Sequence, residues 1–133
     1  MGSQGPTKRV RATAVIARDG KVLLVRDRGK HRFSLPGGGL KKGEPTLSAA
    51  ARELYEELGL RATSIERLRE CDFRGKASKH KVCLVTEFDG HPHIQGHELS
   101  EFRWWDTKDN VPVFAHVRFI LSRLDELGRL GKH

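Results

Sequence analysis

A glycine loop that runs directly into an acidic helix, residues 38–60, constrains this chain more than any other stretch. Its sequence is GGLKKGEPTLSAAARELYEELGL. The spacing of apolar residues predicts a helix over 46–58, which Gly59 would cap at its C-terminus. Glu53, Glu56 and Glu57 follow one another at helical spacing, so their carboxylates share one side of that helix. We therefore expect three like charges crowded at the rim of the packed face.

These crowded carboxylates indicate a bound cation. They repel one another at neutral pH unless a cation lies between them or some of them are protonated. Oxygen ligands favour a hard divalent cation, so the pattern predicts a Mg²⁺ site, with Mn²⁺ as the alternative. Mg²⁺ usually keeps part of its coordination shell for waters and phosphate oxygens, which indicates a phosphate-bearing substrate.

The same stretch resembles the Nudix box of MutT-like hydrolases. Gly38, Glu44 and the run RELYEELGL at 52–60 occupy every fixed position of that motif. The resemblance implies an enzyme that hydrolyses a diphosphate bond in a nucleoside diphosphate linked to another group. It also implies the fold class α/β (α+β), as an α/β/α sandwich with a mixed central sheet.

The resemblance further implies roles for individual residues. The metal ligands would be the carboxylates of Glu53, Glu56 and Glu57 together with the backbone carbonyl of Gly37. Arg52 would orient these carboxylates by bidentate pairing, and Glu44 would support the metal shell or the loop–helix junction. The general base is left open between Glu53, inside the box, and Glu98 on a distant loop, with Glu101 behind it.

Length and charge bound the remaining possibilities. The 133 residues predict a single Nudix domain over 8–130, preceded by a disordered leader over 1–7. The 25 lysines and arginines exceed the 17 acidic residues, and the net charge of +8 favours either solubility or attraction of a polyanion. Cys71 and Cys83 form no CxxC pair, and no apolar run is long enough to span a membrane, so we expect a cytoplasmic protein.

Apolar patterns on both sides of the box predict the other elements. Strands are expected at 10–17 and 21–26, joined by a turn at Asp19-Gly20, with one apolar face in the first strand. Further extended segments are expected at 33–35, 61–73, 81–88 and 101–106. A C-terminal helix is expected to begin around Asn110 and Pro112. We reject a zinc site at His91, His93 and His97, because no second ligand group has matching spacing.

Basic residues flank the predicted cleft from two directions, at 26–32 and at 74–81. The candidate substrate-binding residues are Arg28, Arg32, Lys41, Phe73, Arg74 and Lys76. Phe33, Trp104 and Trp105 are further candidates for stacking a base. The favoured substrate is a nucleoside triphosphate or a similar small nucleotide. Dinucleoside polyphosphates, nucleotide sugars and RNA 5′ ends are the alternatives.

Two other classes of function stay open. A non-catalytic, nucleotide-binding Nudix module is disfavoured because such modules commonly lose box carboxylates, and this chain keeps all of them. A nucleic-acid-binding domain would explain the charge, but the sequence lacks a helix-turn-helix, a zinc finger or an aromatic RNA-binding signature. Nucleic acid is therefore expected only as an RNA 5′-end substrate. Many Nudix proteins are dimers, so a homodimer is a further expectation.

Overall fold

A computed structural model describes residues 9–130 of the chain. The predicted leader, residues 1–7, lies outside the described residues, as do residue 8 and residues 131–133. Within the described part, seven strands, two helices and one short 3₁₀ helix follow one another. The strands are β1 (Arg9–Arg18), β2 (Lys21–Asp27), β3 (Gly37–Gly39), β4 (Arg61–Arg67), β5 (Phe73–Arg74), β6 (Ser78–Asp89) and β7 (Leu99–Trp105). The helices are α1 (Thr46–Leu58) and α2 (Ala115–Glu126), and the 3₁₀ helix is Arg69–Cys71.

The strands form one mixed sheet in the order β4-β6-β1-β2-β7. The long pairing of β1 with β6 is parallel, and the other pairs are antiparallel. The second edge of β1 is shared, because its first half pairs with β3 and its end pairs with β2. Short β5 extends β6 at the start of that strand. The predicted mixed sheet is confirmed.

The two helices cover opposite faces of this sheet. Leu54 and Leu58 of α1 pack with Ala14 and Ile16 of β1 in one core cluster. On the other side, Val117, Ile120 and Leu124 of α2 pack with Val15 of β1. Alternate residues of one strand therefore meet different helices, as the period of a β-strand requires. This arrangement confirms the predicted α/β/α sandwich.

Helix α1 has the predicted bounds, but its buried stripe differs slightly. The apolar spacing predicts a stripe of Leu47, Ala50, Ala51, Leu54 and Leu58, but the buried residues are Ala49, Ala50, Leu54 and Leu58, and Leu47 and Ala51 are only half-buried. Gly59 adopts the left-handed conformation with φ +69° and donates its amide to the carbonyl of Tyr55 at 3.0 Å. The predicted glycine cap is confirmed, because a residue without Cβ adopts this conformation without strain.

The prediction of a single apolar face for β1 was wrong. Every residue from Ala12 to Ile16 is buried, while Val10 is 38% exposed. The physical reason is that β1 is a central strand covered by a helix on each face, so alternation is lost. Thr13 is the polar member of this buried run, and its hydroxyl is 2.8 Å from Nδ1 of His80.

Two segment boundaries also differ from the prediction. The expected extended run 61–73 is interrupted after Arg67, whose guanidinium makes a bidentate pair with Asp72 at 2.7 Å for both contacts. Helix α2 begins at Ala115, later than expected, because Phe114 donates its amide to the carbonyl of Phe33. Long-range pairing thus sets both boundaries. Neither helix among residues 9–130 has the length and hydropathy that a membrane span requires.

Candidate active site

The glycine loop lies directly against the acidic helix. Strand β3 pairs with β1, which places Gly38 beside Glu53 of α1. A Cβ on Gly38 would overlap the carboxyl group of Glu53. At Gly37, where φ is +143°, a Cβ would overlap the carbonyl oxygen of Ala12. Both glycines are needed because backbone and carboxylate approach too closely for any side chain.

Arg52 connects the box residues to one another. Its guanidinium makes a bidentate pair with Glu44, with Nε–Oε2 at 2.8 Å and Nη2–Oε1 at 2.9 Å. Nη1 also contacts one carboxylate oxygen of Glu53 and one of Glu56, each at 3.0 Å. Nη2 donates to the carbonyl of Gly39 at 3.1 Å. One planar cation therefore links the loop, Glu44 and two carboxylates of the helix.

Glu44 is held as a carboxylate at the loop–helix junction. The hydrogen bond from Arg52 is the main cause that lowers the pKa of Glu44 to about 2. The backbone amide of Lys41 donates to the same carboxylate at 2.9 Å and lowers the pKa further. The reciprocal effect is a raised pKa of Arg52. The geometry places Glu44 as a support of the loop, and it places the Lys41 backbone in contact with Glu44.

The surroundings of Glu57 raise its pKa, in contrast to those of Glu44. Burial, a hydrogen bond with the carboxyl group of Glu98, and the nearby negative charges of Glu53 and Glu98 raise its pKa to about 8. Arg11 acts against this shift. Glu98 is exposed on the loop before β7. The fold therefore brings a helix carboxyl together with Glu98, the loop glutamate that is one of the two predicted candidates for the general base.

The donor set fits a hard divalent cation. Burial and the carboxyl groups of Glu53 and Glu98 raise the pKa of Glu57, and a divalent cation is the usual partner of carboxylates crowded in this way. Among residues 9–130, no three His, Cys, Asp or Glu side chains are grouped closely enough to count as a ready metal site. Arg52 holds Glu53 and Glu56, and Arg11 donates to the carbonyl of Gly37 at 3.1 Å. Metal binding would therefore require these contacts to rearrange.

A cavity of about 780 Å³ is connected to the glycine loop through Arg11. Four predicted substrate-binding residues line it, namely Arg32, Phe73, Arg74 and Lys76. Arg11 lines the cavity and also contacts the carbonyl of Gly37, so it connects the cavity to the glycine loop. Arg11 was not predicted from the sequence, although Arg11 stands on the same face of β1 as buried Thr13. Phe114, which lies beside the cavity just before α2, was not predicted either.

Several other candidates lie elsewhere. Arg28 does not line the cavity; it donates Nε to the carbonyl of His97 at 3.0 Å and its amide to the carbonyl of Glu98 at 2.8 Å. Lys41 is exposed and also lies away from the cavity. Glu101 is paired with Arg26. Arg28 and Lys41 lie in neighbouring loops rather than in the cavity wall, and their role in substrate binding stays a prediction.

Fewer aromatic residues line the cavity than the four that were candidates for stacking a base. Phe33 is buried at 6% exposure and Trp105 at 2%, and the Trp105 indole donates to the carbonyl of Asp109 at 2.9 Å. Trp104 packs in the core cluster on the α1 side of the sheet. Only Phe73 of the four aromatic candidates lines the cavity. The others face the core because strand pairing decides which side of the sheet each ring occupies.

Two buried histidines line the same cavity. The rings of His80 and His116 are stacked with centroids 4.0 Å apart. The backbone amide of Leu35 donates to Nε2 of His116 at 3.3 Å. Burial lowers the pKa of His80 to about 4 and that of His116 to about 3. Both rings are therefore neutral at pH 7, and no sequence pattern connects them because they meet only through tertiary packing.

Comparison with known proteins agrees with this architecture. Residues 7–121 match the family model described as NUDIX domain. The chain is 36% identical over 118 residues to an RNA pyrophosphohydrolase of Pelagibacter ubique, covering 71% of this chain and 73% of that protein. Some relatives with that name match over less of their length, such as the Bartonella quintana protein at 40% identity, over 45% of this chain and 40% of that protein.

Solved structures give the same result. The crystal structure of a MutT NUDIX hydrolase from Burkholderia pseudomallei superposes with a TM-score of 0.78 at 27% identity, covering 90% of this chain and 99% of that one. A putative nudix hydrolase family member from Chromobacterium violaceum has the same TM-score at 31% identity, over 93% of this chain and 81% of that one. The chain belongs to the Nudix family. It is a hydrolase that acts on diphosphate bonds.

Proposed function

We propose that this chain hydrolyses the 5′-triphosphate group of a nucleoside in a Mg²⁺-dependent reaction that releases pyrophosphate or phosphate. The observation that carries the proposal is the position of Arg11. It lines a cavity with basic and aromatic walls and also contacts the glycine loop beside the carboxylates. A nucleoside bound in that cavity would have its phosphates next to the acidic helix.

The carboxylate cluster suits this reaction. Glu53, Glu56, Glu57 and the carbonyl of Gly37 would hold the metal, which when bound would neutralise phosphate charge and align the attacking and leaving oxygens. Glu44 and Arg52 orient the helix carboxylates through the bidentate pair. The protein's own contribution would be to keep these groups on one helix and one adjoining loop, so that only side-chain contacts have to rearrange when metal and substrate bind.

Glu98 is the better candidate for the general base. It is exposed, so water can reach its carboxylate, and it contacts Glu57 directly. Glu53 is instead engaged by Arg52 and lies against the glycine loop. A carboxylate that already accepts a charged hydrogen bond is a weaker proton acceptor. We therefore assign proton removal from the attacking water to Glu98.

The cavity would bind the nucleoside and the phosphates. Phe73 and Phe114 offer aromatic surface for a base, and Arg32, Arg74 and Lys76 offer positive charge for phosphate oxygens. A volume of about 780 Å³ is within the usual range for small-molecule sites. This combination favours a substrate that carries both a base and several phosphates.

An RNA 5′ end is the second candidate. Its support is that the curated relatives at 36% and 30% identity are RNA pyrophosphohydrolases that match over about three quarters of this chain. An RNA 5′-triphosphate presents the same nucleoside and phosphates as the free nucleotide, followed by a chain of further nucleotides. The net charge of +8 would attract this longer polyanion more strongly.

The test compares the free nucleotide with the RNA end directly. Release of pyrophosphate and phosphate would be measured with Mg²⁺ for a nucleoside triphosphate and for a 5′-triphosphorylated oligoribonucleotide with the same first nucleotide. ADP-ribose and a dinucleoside polyphosphate complete the panel. Mn²⁺ would replace Mg²⁺ in parallel assays. Tight nucleotide binding without turnover of any substrate would favour a non-catalytic module and would reject the proposal.

Two properties of the whole protein are proposed with it. A reducing, cytoplasmic setting agrees with Cys71 and Cys83, which are free and buried, and burial raises the pKa of both thiols. A homodimer stays a prediction that sedimentation of the purified chain would test.

A further inference from the structure

The loop at residues 90–98 closes the C-terminal end of α1. The last four carbonyls of a helix lack partners within the helix and need them from elsewhere. Here the amide of His93 donates to the carbonyl of Leu58 at 3.0 Å, and the amide of Gln95 donates to the carbonyl of Glu57 at 2.9 Å. The loop is thus attached by its backbone to the residue whose side chain meets Glu98.

The side chain of Gln95 makes two further hydrogen bonds that attach the loop to the helix. Its Nε2 donates to the carbonyl of Tyr55 at 2.6 Å and to that of Glu56 at 3.1 Å. Its Oε1 lies 3.0 Å from Nε2 of His93, a contact that orients the amide toward the helix. One side chain therefore satisfies two helix carbonyls that would otherwise depend on water or the glycine cap.

The loop is also held on its other side. Arg28 donates to the carbonyls of His97 and Glu98, and Ile94 packs against the core cluster below α1. Glu98 itself is exposed, so the packing of its own side chain cannot fix its position. Its position depends on contacts made by its neighbours in the loop.

We infer that Gln95 is a positioning residue for catalysis, which holds the 90–98 loop on the carbonyls of α1 so that Glu98 meets Glu57. The inference rests on the proposed function, because it gives Gln95 an effect on turnover only through Glu98. Gln95 lies outside the Nudix box, so the motif does not predict a role for it. Its role follows from three hydrogen bonds to the end of the same helix that carries the metal-ligand candidates.

The test uses two substitutions of Gln95. Gln95→Glu keeps the shape but removes the N–H donors and adds a negative charge at the negative end of the helix dipole. We expect kcat to fall about tenfold with KM within about twofold, because a misplaced catalytic group costs turnover more than binding. Gln95→Lys restores a donor to the carbonyls and should recover kcat to within about threefold of the wild type.

A double-mutant cycle separates positioning from a general loss of structure. In a Glu98→Gln background, Gln95→Glu should lower kcat by less than about twofold, since Glu98 is then no longer available to be positioned. Thr86→Ala is the control, because it removes a 2.8 Å hydrogen bond to Ser64 on the distant β4–β6 pair. An equal loss of kcat in both backgrounds would overturn the inference.

Amide hydrogen exchange makes the test independent of activity. Gln95→Glu should speed exchange at residues 97–99 without changing exchange in β1. If the wild-type chain hydrolyses nothing in the panel, the proposed function fails, whatever the loop does. If exchange at 97–99 is unchanged in the variant, the positioning inference fails, even where the wild type is active.

Discussion

The carboxyl groups of Glu57 and Glu98 share a hydrogen bond, although one lies on α1 and the other on the loop before β7. Such a contact requires a proton between the two groups or a cation beside them. Burial and the two like charges raise the pKa of Glu57 to about 8. This pair is therefore the place where removal of charge and addition of metal should have measurable effects.

Replacing Glu57→Gln should stabilise the metal-free protein at high pH. The folded state raises the pKa of Glu57 from 4.5 to about 8, so its contribution to stability is present below pH 4.5 and is lost as the pH rises to about 8. Glutamine does not ionise. The melting temperature in EDTA should therefore fall more steeply between pH 5 and pH 9 for the wild type than for the variant.

Adding Mg²⁺ should reverse that order. A ligand that binds only the folded state raises the melting temperature, and the effect depends on its affinity. We expect a rise for the wild type, a much smaller rise for Glu57→Gln, and loss of hydrolysis by about 100-fold or more in the variant. Equal stabilisation of both proteins by Mg²⁺ would contradict the assignment of Glu57 as a ligand.

Replacing Arg52→Lys should weaken both stability and turnover. A lysine keeps the charge but cannot make the bidentate pair with Glu44 while also contacting Glu53. We expect a loss of about 1–3 kcal/mol in the free energy of unfolding and a fall in kcat of about tenfold or more. Denaturant titration and steady-state kinetics measure the two effects. Arg123→Lys, an exposed pair with Glu126, is the control and should change neither.

Acid should destabilise the protein through the stacked histidines. The folded state lowers the pKa of His80 to about 4 and that of His116 to about 3 from an ordinary value of 6.5. The unfolded chain therefore takes up protons first, and the contribution of these rings to stability, complete above pH 6.5, is lost as the pH falls toward 4. At pH 5 the loss is about 1–2 kcal/mol for each ring.

The pH dependence of the melting temperature tests this effect. His80→Gln should flatten the fall between pH 7 and pH 4.5, even where the variant is less stable overall. A variant of His80 with the wild-type slope would show that the buried ring is not the titrating group.

Neutralising the cavity wall should weaken substrate binding. Arg74→Gln combined with Lys76→Gln removes two positive charges from the cavity. We expect KM to rise about tenfold and kcat to change by less than about threefold, since in the proposed function these residues would bind phosphate oxygens away from the bond that breaks. Lys108→Gln is the matched control, because Lys108 is exposed after β7, lies outside the cavity and should leave KM unchanged.

Local sequence predicted the parts of the molecule in which a short stretch determines its own structure. Helix α1 begins and ends where predicted, because its apolar period and Gly59 act within the segment. The box residues lie within a few turns of one another, so Arg52 reaches Glu53 and Glu56. Its bidentate pair is with Glu44 instead, a partner that the sequence did not predict. Prediction was weaker for β1 and α2, whose burial and boundaries depend on partners far along the chain.

The sequence by itself determined the family, the sandwich fold and the acidic helix with its glycine loop. Only the tertiary structure decided which distant residues join that helix. It placed Glu98 against Glu57, attached Arg28 to the 90–98 loop, buried Phe33 and Trp105, and packed half-buried Trp104 against the core. The physical reason is that strand pairing and loop closure fix the face and position of each side chain, and neither is encoded in local spacing.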